Sequence, residues 1–87
     1  MVDKNRTYSL RVEEAIIGCC LIEKDLAKQM ISILQKDDFS HAKTRNLFNV
    51  IKELSEQGYS CDVVLIRHRI DPSEHGYMME CIDSVSS

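Results

Sequence analysis

The segment from residue 38 to residue 58, DFSHAKTRNLFNVIKELSEQG, restricts the fold of this 87-residue chain more than any other. One threonine and four apolar residues recur in it at spacings of three and four, which places them on one stripe of a helix. The stripe consists of Thr44, Leu47, Phe48, Ile51 and Leu54. Ser40 can cap the first turn, and Gly58 can adopt the left-handed conformation that ends a helix. We therefore predict a central helix over about residues 41–57.

The segment before it predicts a helix that starts after an N-cap at Ser9. Glu13 and Glu14 lie near its first turn, where acidic side chains suit the positive end of the helix dipole. From residue 12 to residue 22 apolar residues occur on almost every side, a pattern typical of a helix packed between neighbours. Gly18 costs such a helix about 1 kcal/mol relative to alanine. It therefore indicates a point where another helix comes close.

A second stripe predicts a helix of about 11 residues between the first helix and the central one. Its apolar residues are Leu26, Met30, Ile33 and Leu34. Phe39 directly precedes the predicted cap at Ser40, so we expect it to pack on the central helix as a hydrophobic staple does.

Two further helices are predicted after the central one. Asp62 can cap a helix from residue 63 to about residue 70, whose inward residues are Val63, Ile66 and Ile70. A strand is the competing interpretation of this β-branched segment, but it has no partner strand. Pro72 interrupts the chain, and a last helix over about residues 74–84 places Met78, Cys81, Ile82 and Val85 on one side. The predicted fold class is all-α, a compact bundle of about five helices around the long central helix.

The chain length predicts a single domain over residues 9–87, preceded by a flexible polar arm over residues 1–8. The net charge of −3 is scattered along the chain. Nucleic-acid binding needs a concentrated basic surface, and the one local cluster is Arg67-His68-Arg69. We therefore expect no direct contact with nucleic acid; the alternative is a small nucleic-acid-binding or regulatory protein that uses Arg67 and Arg69.

The four cysteines, Cys19, Cys20, Cys61 and Cys81, form no CxxC pair, so we expect reduced thiols in a cytoplasmic protein. The alternative is a structural zinc held by Cys61, Cys81 and two of His41, His68 and His75. The N-terminus lacks the pattern of a secretory signal. The longest apolar run has eight residues, far fewer than the roughly 20 of a membrane helix.

The sequence contains no phosphate-binding loop, no GxGxxG, no HExxH and no GxSxG. We therefore predict neither catalysis nor a cofactor. Asp37-Asp38 is typical of solvated acids ahead of a helix rather than of a metal site. Tyr77, Met78 and Met79 are candidates for partner contact, because thioethers repack easily against another protein. The alternative is that Met78 belongs to the core and Met79 is half exposed.

Taken in order, several short motifs resemble the N-terminal domain of bacterial replicative DNA helicases of the DnaB family. They are Ser9-x-x-x-Glu13-x-Ala15-Ile16-Ile17-Gly18, Asp37-Asp38-Phe39, Arg45-x-Leu47-Phe48, Gly58-x-x-x-Asp62-x-x-x-Ile66 and Gly76-Tyr77-Met78-x-x-x-Ile82-Asp83-Ser84-Val85. The chain departs from the family pattern at Arg11, Thr44 and Ser86, and its segment from residue 67 to residue 76 is shorter.

The resemblance implies a non-catalytic domain that joins other helicase subunits in a collar and docks the primase and the helicase loader. ATP hydrolysis would belong to a separate motor domain. The chain resembles the globular head alone, without the helical hairpin that follows it in the family, so we expect a fragment of a longer helicase. We expect a monomer or a weak homodimer, and the resemblance assigns no specific contact residues.

Overall fold

The computed structural model describes residues 9–86, and all the regular secondary structure in them is helical. The helices are α1 (Leu10–Ile22), α2 (Lys24–Ile33), α3 (Ala42–Glu56), α4 (Val63–Arg69) and α5 (His75–Ser86), with 3₁₀ turns at Lys36–Asp38 and Pro72–Glu74. The prediction of five helices around a long central one is confirmed, and the strand alternative for residues 63–70 is wrong. The predicted flexible arm, residues 1–8, lies outside the described residues.

Helix α3 buries the predicted stripe from Thr44 to Leu54 in the core. Phe39, which precedes the helix, is buried and stacks on Phe48 with a distance of 4.6 Å between ring centroids. Burial of each such ring stabilises the fold by about 2–3 kcal/mol. The predicted packing of Phe39 on the central helix is thus confirmed.

Helices α1 and α5 pack side by side and run in the same direction. The Tyr77 hydroxyl donates to the Glu14 carboxylate at 2.7 Å, and one turn further along both helices Gly18 faces the backbone of Cys81. A Cβ atom on Gly18 would lie only 2.9 Å from the carbonyl carbon of Cys81 and from Cγ2 of Val85. Gly18 is therefore the point of close helix approach that the sequence predicts.

Helix α2 packs on the core with part of the predicted stripe, but not with Ile33. Ala27 is buried, and Met30, Ile31 and Leu34 pack against the core, whereas Ile33 is 71% exposed. Ile33 is the last residue of α2 and lies about 160° around the helix from Ile31, so both cannot face inward. The assignment of Ile33 to the inward stripe is wrong.

Most of the predicted helix ends are confirmed. Val12 N donates to Ser9 Oγ at 3.2 Å, Val64 N donates to Asp62 Oδ1 at 2.8 Å, and Gly58 has a φ of 90° after α3. The exception is Ser40: α3 begins one residue later, with His41 at the N-cap position. None of the helices within residues 9–86 is both long and apolar enough to cross a membrane.

Candidate partner-binding site

The start of α3 is held by a carboxylate from α1 rather than by a residue of its own. Glu13 is fully buried between the two helices. Its carboxylate accepts hydrogen bonds from Ser40 N at 2.9 Å, Ser40 Oγ at 2.6 Å, His41 N at 3.2 Å and Thr44 Oγ1 at 2.6 Å. Glu13 thus accepts from the amides of Ser40 and His41 ahead of α3, and the Ser40 hydroxyl points to Glu13 and not to the first turn of the helix. Glu13 lies in the first turn of α1, as the sequence predicts, but it is buried and links two helices.

The same contacts set the protonation state of Glu13. Burial by itself raises the pKa of a carboxyl group, but here the hydrogen bonds from Ser40, Thr44 and His41 outweigh it and lower the pKa to about 2. A buried carboxylate is tolerated when its oxygen atoms accept several hydrogen bonds, as they do here. Glu13 is therefore ionised at neutral pH and serves to fix the position of the start of α3.

Ser40, His41 and Glu13 lie close together but do not form a catalytic triad. In a triad, one imidazole nitrogen accepts the serine proton while the other donates to the carboxylate. Here the same atom, His41 Nδ1, lies 3.2 Å from Ser40 Oγ and 3.1 Å from Glu13 Oε1, and the serine hydroxyl donates directly to Glu13. The arrangement stabilises a helix start and does not activate the serine.

Next to this network lies an open groove with a volume of about 460 Å³, which we call the α3 groove. Leu10, Ser40, His41, Ala42, Lys43 and Tyr77 line it. Leu10 is 40% exposed and provides an apolar wall, while Lys43 provides a cation. The groove therefore combines apolar and cationic surface, as contact sites for a protein segment often do.

Tyr77 is held in place at the edge of the α3 groove by two contacts. Its hydroxyl donates to Glu14, and the ammonium group of Lys43 lies 5.0 Å from its ring centroid. Burial, and then the hydrogen bond to Glu14, raises the pKa of Tyr77 well above its ordinary value. The ring is thus a neutral, fixed side chain that remains half-buried at the surface.

The three candidates for partner contact lie in different environments. Tyr77 borders the α3 groove, and Met79 is 45% exposed. Met78 is fully buried in the core. A partner cannot touch its side chain in this conformation, so Met78 is a core residue and the candidates reduce to Tyr77 and Met79.

The basic cluster lies in the last turn of α4, where cationic side chains interact favourably with the helix dipole. Val64, Arg67, His68 and His75 surround a smaller cavity of about 250 Å³ there. His75 Nε2 lies 2.9 Å from the Arg67 carbonyl oxygen, and Arg69 Nη2 donates to Gln57 at 2.8 Å. Arg67 and Arg69 are exposed. Their favourable interaction with the helix dipole explains why basic residues lie at this end of α4, without any need for a bound nucleic acid.

Among the described residues no group of three or more His, Cys, Asp or Glu side chains is arranged to hold a metal ion. The zinc alternative with Cys61, Cys81 and the histidines therefore has no support in the structure. Cys20, Cys61 and Cys81 are buried free thiols, and Cys19 is partly exposed.

Sequence reasoning missed two features of this region. The first is the buried carboxylate, although Glu13 stands four residues before Ile17 and seven before Cys20 and so shares their apolar stripe. That position was a usable signal for burial. The second is the α3 groove, whose lining comes from α1, α5 and the start of α3; no local pattern could reveal it.

One family model matches nearly the whole chain. The family model described as the DnaB-like helicase N-terminal domain matches residues 5–87. Neither the curated proteins nor the solved structures include a significant match. The matched model describes the non-catalytic N-terminal domain of the helicase and not its motor. The all-helical fold of residues 9–86 agrees with the match, and the chain belongs to the family of DnaB-like helicase N-terminal domains.

Proposed function

We propose that the chain is a protein-interaction domain of a replicative DNA helicase that acts in the cytoplasm. In this role it contributes to the collar of the helicase and docks the primase and the helicase loader. The family match over residues 5–87 carries the proposal. The contacts near α3 agree with a binding role. The buried carboxylate there, that of Glu13, is occupied in holding the start of α3 and not in activating a nucleophile.

The α3 groove is the surface that we assign to primase docking. Leu10 and the Tyr77 ring offer apolar contact, and Lys43 offers one positive charge beside them. We expect the complementary segment of the primase to carry an apolar side chain next to a carboxylate. Because the groove is small and open to solvent, we expect a weak and reversible complex.

The proposal is tested by calorimetry with the 87-residue chain and the primase and loader encoded in the same genome. Lys43→Glu in the groove should weaken primase binding about tenfold, whereas Lys28→Glu, the same charge change on exposed α2, should leave binding unchanged. Wild-type chain that binds neither protein would overturn the docking role. Binding that Lys28→Glu weakens as much as Lys43→Glu would overturn the assignment to the groove.

The alternative function, nucleic-acid binding through Arg67 and Arg69, has a distinct signature. It requires a mobility shift that weakens steeply with salt and disappears in the Arg67→Glu, Arg69→Glu double variant. We expect no such shift near physiological salt, because the chain has a net charge of −3 and a single small basic cluster.

A further inference from the structure

The smaller cavity, between the end of α4 and the start of α5, is lined mainly by basic side chains. Its volume is about 250 Å³, and its lining consists of Val64, Arg67, His68 and His75. Among residues 9–86 no acidic side chain lines it, and none of the three basic residues forms an ion pair. We call this space the α4 cavity. Basic groups around one cavity repel one another when they are protonated, and a bound anion would offset that repulsion.

The carbonyl groups at the end of α4 would oppose an anion, but two of them already accept hydrogen bonds. A helix C-terminus carries partial negative charge on its last carbonyl oxygens. Here Ile66 O accepts from Ile70 N at 3.1 Å, and Arg67 O accepts from His75 Nε2 at 2.9 Å. A carbonyl oxygen cannot donate, so the His75 ring carries a hydrogen on Nε2. Its Nδ1 can therefore take up a proton without loss of this bond, which adds a positive charge beside the cavity.

The chemistry of the lining indicates the class of ligand. The planar guanidinium of Arg67 matches the spacing of two phosphoryl oxygens. The imidazoles of His68 and His75 donate to an anion once they are protonated. Val64 is 60% exposed and provides an apolar wall beside the basic groups. This combination suits a phosphoryl group that carries an apolar substituent.

We propose that the α4 cavity binds a small phosphate monoester, with its basic side chains on the phosphoryl oxygens and Val64 against the ester substituent. A nucleic-acid strand is a different ligand, because its backbone carries a charge at every nucleotide and is held by an extended row of cations. The α4 cavity shares no residue with the α3 groove, so the inference does not rest on primase docking. The site is open to water, and the affinity is therefore low.

An NMR titration of the 87-residue chain with phenyl phosphate, at constant ionic strength, tests the proposal. The signals of His68 and His75 should shift and saturate with a Kd of about 1–10 mM. Arg67→Gln should weaken binding about tenfold, whereas Arg69→Gln should weaken it less than about twofold. Arg69 is the matched control, because it does not line the cavity and its guanidinium donates to Gln57. Equal losses in the two variants, or no saturation up to about 50 mM ligand, would overturn the proposal.

Two further ligands distinguish a monoester from other sources of a phosphoryl group. Val64→Ser should weaken binding of phenyl phosphate about threefold and leave binding of inorganic phosphate unchanged, since inorganic phosphate has no substituent to pack on Val64. The same loss for both ligands would overturn the role of the apolar wall. A single-stranded oligonucleotide that binds more tightly than phenyl phosphate, and that both Arg67→Gln and Arg69→Gln weaken, would assign the basic cluster to nucleic acid instead.

The histidines predict a dependence on pH. Sulfate is the probe, because it keeps both of its charges from pH 8 to pH 5.5. Its affinity should rise about threefold or more over this range as His68 and His75 take up protons. The other charged residues in the last turn of α4 and in the turn before α5 are Arg67, Arg69, Asp71 and Glu74. Arginine and carboxylate side chains do not ordinarily change charge in this range. An affinity that stays constant with pH would overturn the contact of the imidazoles with the anion.

Discussion

The hydroxyl of Thr44 donates to the buried carboxylate of Glu13 at 2.6 Å, a hydrogen bond that joins α3 to α1 across 31 residues of sequence. Both side chains are fully buried, so water does not compete for either partner. A hydrogen bond to a charged group in such surroundings contributes more than an exposed one.

Removal of this hydrogen bond should destabilise the fold. Thr44→Val keeps the shape of the side chain but leaves one carboxylate oxygen with fewer donors, so we expect a loss of about 2 kcal/mol in the free energy of unfolding. Glu13→Gln should cost a similar amount or more, since it replaces a charged acceptor. Urea denaturation of both single variants and the double variant measures their coupling. Losses that simply add, with a coupling near zero, would show that Glu13 and Thr44 do not act together.

Stability should fall in acid because of Glu13. Its pKa is about 2 in the folded protein and 4.5 in the unfolded chain, so the folded state favours the ionised form. The contribution, about 3 kcal/mol, is present above pH 4.5 and is lost as the pH falls through 4.5 towards 2. Denaturation at several pH values from 7 to 2.5 should show a smaller loss for Glu13→Gln than for wild type. Parallel curves for the two proteins would contradict the prediction.

Gly18→Ala should be destabilising although alanine favours helices. The new methyl group would overlap the carbonyl group of Cys81 and force α1 and α5 apart, at a cost of about 2 kcal/mol or more. Gly76→Ala is the matched control, because a Cβ atom there meets no other atom within 4 Å. The control should be neutral or stabilise the fold by up to about 1 kcal/mol. Thermal unfolding of both variants separates the two effects, and equal melting temperatures would rule out close packing at Gly18.

The four thiols should differ in reactivity. Burial raises the pKa of Cys20 to about 12, of Cys61 to about 11 and of Cys81 to about 12. These three thiols are therefore protonated at neutral pH, and a reagent in solution cannot reach them. Cys19 is partly exposed. In native protein one thiol, Cys19, should react with a disulfide reagent at least about tenfold faster than the rest. Cys19→Ser should remove the fast phase, and a fast phase that survives this change would contradict the burial of the other three.

The features that the sequence predicts correctly depend on neighbours along the chain. The caps at Ser9 and Asp62, the left-handed Gly58 and the stripe of α3 are all set within one or two turns of helix. The close approach at Gly18 was predictable because a glycine weakens an apolar helix, and tight packing against a second helix offsets that cost.

The features that the sequence missed depend on distant residues. Ser40 has the chemistry of an N-cap, but a carboxylate 27 residues earlier takes its hydroxyl and its amide. Ile33 fits an apolar period, yet the face that α2 turns to the core contains Ala27 and Ile31 and leaves Ile33 exposed. In the candidate site, Tyr77 was predicted as a partner contact from the sequence. Leu10 and Lys43 were not, because they come next to Tyr77 only when three helices pack together.

The parallel packing of α1 and α5 also affects how the chain folds during synthesis. Glu14 and Tyr77 meet across 63 residues, so the seam that Gly18 permits cannot close until α5 has left the ribosome. Before that moment the apolar side of α1 is open to chaperones or to another nascent chain. The first helix to be made thus completes its packing only when α5 has been made.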